Sequence, residues 1–314
     1  MASLGILSSA MVDEIEAAMG WTSPSGAQSA WALARLNDGY DRFLKGLVPG
    51  SDPPQFHDWL FMHPYSTITV WPTMTGAASG APVYVNPSST VTSAAAMFYA
   101  SMIGHSVVFT ATGNSYTITS YTSSTVVVVS GDASGEADED VLTVTADGRY
   151  SLPTDFGGMG DEPVYAYASG ASLPDFGHAN LRKVYRELRD SATTDDPVRW
   201  ALEPKARVAT AVQAWWLRVE PVPDTARTVI LPYRVAVSAL TDSATEYCVA
   251  PIEDHRTILQ CGKAAAEQQQ THAAGPEEFR AQLMMAESIA FDRGMYSNAQ
   301  TVQSMYDADS GLEA

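Results

Sequence analysis

Ser106-Val107-Val108-Phe109-Thr110, Thr112-Gly113-Asn114 and Ser115-Tyr116-Thr117-Ile118-Thr119-Ser120 are the segments on which the fold reading turns. Two runs rich in β-branched and aromatic residues flank a turn built on Gly and Asn, the pattern of an antiparallel hairpin. Working outward, similar runs occur at 67–71, 82–85, 125–129 and 141–145. Short strands at this spacing, separated by Gly, Ser and Asn, predict a small antiparallel barrel or sandwich. From Gly76 to Asp147 there is no Lys or Arg, and Ser, Thr, Ala and Val dominate. That shift in composition marks 77–147 as an inserted β module, expected to be self-contained.

Beyond the module, Gly157, Gly158 and Gly160 are read as a turn. A short helix is predicted at 179–190, followed by strands at 198–202, 211–219 and 228–235. The middle strand carries Trp215 and Trp216 side by side, so one ring should enter the core and the other face a second layer. Pro232, inside the third, predicts an edge strand or a bend.

Both ends of the chain read as helical. Ser9 is a candidate cap for a short helix carrying Met11, Ile15 and Met19, ended by Gly20. A second helix is predicted over 25–47, with Leu33, Leu36, Tyr40, Phe43, Leu44 and Leu47 on one face and Trp31 off it. The breakers Val48-Pro49-Gly50-Ser51-Asp52-Pro53-Pro54 follow. Pro251 precedes a helix over 253–271, and Gly275-Pro276 opens another whose Glu277 and Glu278 suit its dipole. Phe279, Leu283, Met284, Ile289 and Phe291 are its predicted buried stripe. Residues 294–314 are polar and are expected to form a flexible arm. The fold class expected is α+β: a helical core formed by the N- and C-terminal helices, and an antiparallel β region with an inserted small β-barrel or sandwich. The core would be 1–76 with 148–314, the insert 77–147 and the arm 294–314.

The 314 residues are 46% hydrophobic and 17% charged, enough for a sizeable core. Residues 1–10 lack a basic stretch ahead of an apolar run, so a secretory signal is not expected. Cys248 and Cys261 have no neighbours at metal-ligand spacing and are expected as reduced, buried thiols. Asp and Glu outnumber Lys and Arg 36 to 18, a formal net charge of -18. Such a surface repels nucleic acid at long range, though DNA can pass an acidic wall without sticking. No nucleophile elbow or phosphate-binding loop is present. The six histidines, His57, His63, His105, His178, His255 and His272, show no zinc-motif spacing. Asp132, Glu136, Asp138, Glu139 and Asp140 lack the EF-hand pattern and are read as a solvated acidic loop. No catalytic residue, cofactor or metal is therefore expected, and the chain is not expected to be an enzyme.

The order of several local segments resembles the head-to-tail connector proteins of bacteriophages, the adaptor or gateway ring subunits below the portal. The segments are Trp59-Leu60-Phe61, then Tyr150-Ser151-Leu152-Pro153-Thr154-Asp155-Phe156, then Trp200-Ala201-Leu202-Glu203-Pro204. Leu217-Arg218-Val219-Glu220-Pro221-Val222-Pro223, Ile230-Leu231-Pro232-Tyr233-Arg234 and Val249-Ala250-Pro251 follow. Together they span roughly 20–295, and the insert departs from the family's minimal pattern. The resemblance implies a structural virion protein, assembled in the host cytoplasm as a homo-oligomeric ring, commonly of twelve copies, on the portal ring. It implies a channel through which DNA passes without sequence-specific binding, and a docking surface for tail, nozzle or fibre proteins, with no membrane role. The arm would contact the portal through Met295, Tyr296, Val302, Met305, Tyr306 and Leu312. The β module would face a partner with Tyr99, Tyr116 and Tyr121. Two alternatives stand beside this reading: a β-module binding protein that decorates a capsid or holds a receptor, sugar or fibre, and a polysaccharide hydrolase.

Overall fold

The computed structural model describes residues 5–48, 54–166, 176–190, 194–206 and 213–309, with side chains to Leu188 in the third stretch and to Met295 in the last. The fold is mixed α+β. Five α-helices lie among the described residues: α1 (Ser8–Ala18), α2 (Gly26–Leu44), α3 (Leu181–Asp190), α4 (His255–Thr271) and α5 (Pro276–Asp309). The chain divides into two compact units, Met1–Pro64 with Val237–Ala314, and Tyr65–Ala236. This division differs from the expected boundaries at 76/77 and 147/148.

In the helical unit α1 begins without a side-chain cap, because Leu7 rather than Ser9 stands at the N-cap. The N–H groups of Ser8 and Ser9 instead donate to the carbonyls of Glu246 and Ser243. A distant segment thus satisfies donors that a capping hydroxyl would have taken. Helix α2 does carry a capping box, between Ser25 and Gln28. It stops three residues before the expected end: Gly46 takes φ +60, and a Cβ there would lie 2.2 Å from the His57 carbonyl oxygen. The buried face of α2 includes Leu36, Gly39, Tyr40 and Phe43 and packs along α4. A Cβ on Gly39 would lie 2.2 Å from the Gly262 nitrogen of α4, so the two backbones touch. Trp59, fully buried, stacks on Phe43 with centroids 4.4 Å apart and donates its Nε1–H to the Phe43 carbonyl at 2.8 Å. Trp31, off the stripe, meets Trp21 edge-on. Cys248 and Cys261 are buried free thiols, both pushed up to about 12, chiefly by burial.

Helix α5 covers only part of its expected stripe: Ile289 is buried as expected and Met284 is half-buried. Ala281, Met285, Ser288, Ile289 and Asp292 are buried, whereas Phe279, Leu283 and Phe291 are exposed. Polar pairing selects the covered side: the Thr257 and Ser288 hydroxyls are 3.0 Å apart, and His57 Nε2 lies 2.8 Å from Asp292 Oδ2. Residues expected to form an arm are helical backbone as far as Asp309.

The second unit holds the strands β1 (Tyr65–Val70), β2 (Met74–Ala77), β3 (Val83–Val85), β4 (Ser88–Thr92), β5 (Ser106–Phe109), β6 (Ser115–Ser123), β7 (Val126–Ser130) and β8 (Val141–Val144). They are followed by β9 (Arg149–Ser151), β10 (Phe156–Met159), β11 (Val164–Tyr165), β12 (Gly177–His178), β13 (Arg199–Pro204), β14 (Trp215–Glu220) and β15 (Arg227–Val235). A seven-stranded sheet runs β2-β8-β5-β6-β7-β4-β3, with every neighbouring pair antiparallel. It curls into a half-barrel: Ser79 donates to the Thr92 carbonyl and Ala94 to that of Ala77, bringing the end of β2 back to the end of β4. Alternate residues such as Val107, Phe109, Val127, Val129, Leu142 and Val144 point inward.

Two further sheets, β1-β15-β10 with β11 also on β15, and β12-β13-β14-β9, complete the unit. All their pairs are antiparallel except β12 with β13. The glycine stretch expected as a turn is partly strand. Phe156–Met159 pairs with β15 through a bulge, and a Cβ on Gly157 would lie 2.9 Å from the Ala236 nitrogen. Nor is β15 an edge strand. Pro232 is tolerated because it pairs with Tyr65, the first residue of β1, and its carbonyl still accepts from Gly160. The 77–147 stretch has no buried core apart from the rest: Phe98, Phe109 and Val129 belong to one cluster with Trp71, Tyr150, Leu217 and Val229.

Candidate functional site

Trp216 organises one end of this β unit. Its ring meets His105 edge-on at 5.1 Å, and the Lys205 Nζ stands 3.7 Å from its centroid. Trp215, on the opposite face of β14, reaches Phe156 instead. Gly104, with φ +93, leaves room for the indole: a Cβ there would lie 2.7 Å from it. Lys205 follows β13 and is held in place by its backbone, whose N–H donates to the Ala214 carbonyl and whose carbonyl accepts from Gln213 Nε2. The Nζ donates to Ser151 Oγ at 2.7 Å. Among the described residues it forms no ion pair. Burial alone lowers its amine to about 8. His105 is also lowered, by burial first, against the raising effects of Asp147 and the Arg149 carbonyl.

A cavity of about 570 Å³ opens beside this lysine. Lys205, Tyr99, Tyr121, Ser66, Thr67 and Thr154 are among the residues that line it. They arrive from β1, from the short 3-10 turn after Tyr99, from β6, from the loop after β9 and from the end of β13. Among the described residues neither tyrosine hydroxyl has a hydrogen-bond partner. Such a concave site, with apolar rings and a few polar groups, has the size and character of small-ligand pockets. A labelling experiment tests the lysine's state. Acetylation at Lys205, read by mass spectrometry, should half-rise near pH 8, because only the free amine reacts. An ordinary lysine half-titrates above about pH 10. A midpoint at the ordinary value would show that the ammonium is solvated.

Two of the three tyrosines expected to face a partner therefore share this cavity. Tyr116 does not: its hydroxyl donates to Glu136 Oε1 at 2.7 Å and its ring meets Phe109 edge-on. Burial and the adjacent Glu136 push Tyr116 up to about 12. Glu136 also accepts from Thr112 and Asn114. Burial pushes its carboxyl up, but these hydrogen bonds outweigh that and hold it below the usual carboxylate range. The acidic loop is thus tied to the β5–β6 hairpin, where Asp140 accepts from Ala111 N–H, and to the β2–β3 connection, where Asp138 accepts from Gly80 N–H. No group of three or more His, Cys, Asp or Glu able to hold a metal occurs among the described residues. Lys205 was not singled out in the sequence. The signal available was the absence of cations from 76–147, which makes any lysine brought to that module from outside conspicuous.

Of the residues expected to touch a portal, Met295, Tyr296, Val302, Met305 and Tyr306 fall on α5. Met295 is 50% exposed, and Phe279, Leu283 and Phe291 are 71%, 55% and 57% exposed. Phe279, Leu283 and the exposed Ala286 and Ala290 share one face at helical spacing, whereas Phe291 and Met295 stand well round the helix from it. Tyr296, Val302, Met305 and Tyr306 fall within the helical backbone of α5, but their side chains, like Leu312, lie outside the described residues. In an acidic chain, α3 is an exception: Arg182, Lys183 and Arg186 are exposed along it. No described helix is long and apolar enough to cross a membrane. No family model matches the chain, and no curated protein matches it.

Proposed function

We propose that this chain is a structural subunit of a phage head-to-tail connector, a ring that docks on the portal, extends the DNA channel and receives tail, nozzle or fibre components. The observation that carries the reading is the exposed apolar face of α5. Phe279 and Leu283 share that face, and large apolar side chains left exposed on a helix favour a partner surface. The order of local segments, which resembles that of connector proteins, supports this choice of partner class. In an acidic chain, the exposed Arg182, Lys183 and Arg186 of α3 add charge complementarity between copies. In this reading the helices from both ends of the chain carry the ring, and the 77–147 stretch meets fibre or tail proteins.

The test is light scattering of the purified protein, alone and mixed with a portal ring, followed by electron microscopy of any large species. A ring seated on the portal is expected; a monomer that ignores the portal would overturn the reading. The double variant Leu283→Glu/Phe291→Glu should keep its circular dichroism, since both residues are exposed, yet lose portal docking by at least about tenfold. Unchanged docking by that variant would move the interface elsewhere. A second reading, a binding module, is favoured by the cavity beside Lys205.

A further inference from the structure

We propose that the cavity walled by Tyr99, Tyr121 and Lys205 binds a sugar that carries one carboxylate, of the uronic or sialic acid type. This does not rest on the connector reading.

Three features of the wall select this chemistry. Lys205 is a cation without a carboxylate partner among the described residues. Its ammonium has three donors; one goes to Ser151 Oγ, and the Trp216 face occupies another approach. A partly buried charge left unpaired is costly, so such a group is suited to a ligand that brings the missing anion. The tyrosine rings offer flat apolar surface with a polar rim, which suits the C–H face of a pyranose. Ser66, Thr67 and Thr154 add hydroxyls that both donate and accept, matching a ligand with many hydroxyls. A polyphosphate fits less well: Lys205 is the one cation in the described lining, and the chain's net charge of -18 disfavours a highly charged anion.

The module supplies the aromatic rings but no Lys or Arg of its own. The cation comes from the end of β13, so the site exists only once β13 and the half-barrel have folded together as one unit.

Calorimetric titration of the full-length protein with sialyllactose, methyl galacturonate and lactose tests the proposal. At least one acidic sugar should bind, and its carboxyl-reduced form should bind about tenfold more weakly or worse, as expected for loss of a charge-assisted hydrogen bond. Lys205→Gln should abolish that difference, Lys205→Arg should retain it, and Tyr121→Ala should weaken all sugars that bind. The comparison of each acid with its reduced form uses the wild-type protein, so it stands even if a variant misfolds. Binding of neither acidic sugar at millimolar concentration overturns the proposal, as does equal binding of an acid and its reduced form. Portal docking by the Lys205→Gln protein should be unchanged, which separates failure here from failure of the connector reading.

Discussion

Gly39→Leu is expected to prevent the helical unit from reaching its native packing. The α2 and α4 backbones meet at this residue: a Cβ on Gly39 would lie 2.2 Å from the Gly262 nitrogen and 2.5 Å from the Cys261 carbonyl carbon. Backbone atoms in the middle of a helix cannot swing aside as a side-chain tip can. The helices must therefore separate, and separation opens gaps around Leu36, Phe43 and Ile258, all fully buried. Overpacking of this kind costs about 3 kcal/mol or more, a large share of the stability of an ordinary domain. Gly26 is the control, because it stands at the first position of α2 with open space around it. Gly26→Ala should leave melting unchanged or raise it slightly. Thermal unfolding followed by near-ultraviolet circular dichroism, with limited proteolysis of residues 237–295, reads both variants. Native-like melting of Gly39→Leu would mean that α2 and α4 do not pack this closely.

Excision of 77–147 with a short linker should unfold the rest of the β unit while leaving the helical unit folded. The sequence points to a self-contained insert, which would predict a folded remainder throughout. The structure predicts otherwise for 65–236, because Trp71, Tyr150 and Leu217 are fully buried in a cluster that includes Phe98, Met102, Val107 and Phe109. Removing those partners exposes Trp71 and Tyr150, and each large buried side chain contributes about 1.5–3 kcal/mol. The helical unit has its own core, including Met11, Ile15, Leu36, Phe43 and Trp59. Proteolysis with mass spectrometry should therefore recover protected helical fragments and digested 148–236. A soluble product with a protected 148–236 would show that this region holds a core of its own.

Legibility varied with the range of the contacts involved. The β5–β6 hairpin was readable because a turn residue decides it: Gly113 takes φ +75 and its N–H donates to the Phe109 carbonyl. The capping box at Ser25 was missed in its detail, though the helix start was placed correctly, since Gln28 lies three residues on. Helix α5 misled because size was taken as a guide to burial. Its covered face is instead chosen by short side chains that allow close approach and by polar partners elsewhere in the chain, such as His57 for Asp292. Of the two readings of Pro232 the edge strand fails, since β15 lies between β1 and β10 and the place of Pro232 opposite the first residue of β1 depends on strand register. Of the candidate site, the tyrosines could be suspected from the module's composition, but Lys205 could not.

The sequence by itself determined that this is a mixed α+β protein with helices at both ends and a cation-free run of short strands between. Those features depend on local periodicity, turn chemistry and composition, which neighbouring residues set. Only the tertiary structure decided that 77–147 shares its core with β1, β9 and β14, that α5 turns an apolar face outward, and that Lys205 joins Tyr99 and Tyr121 at one cavity. Each of these depends on strand order and register between distant segments, where the energy of closing a core outweighs the preference of any one stretch.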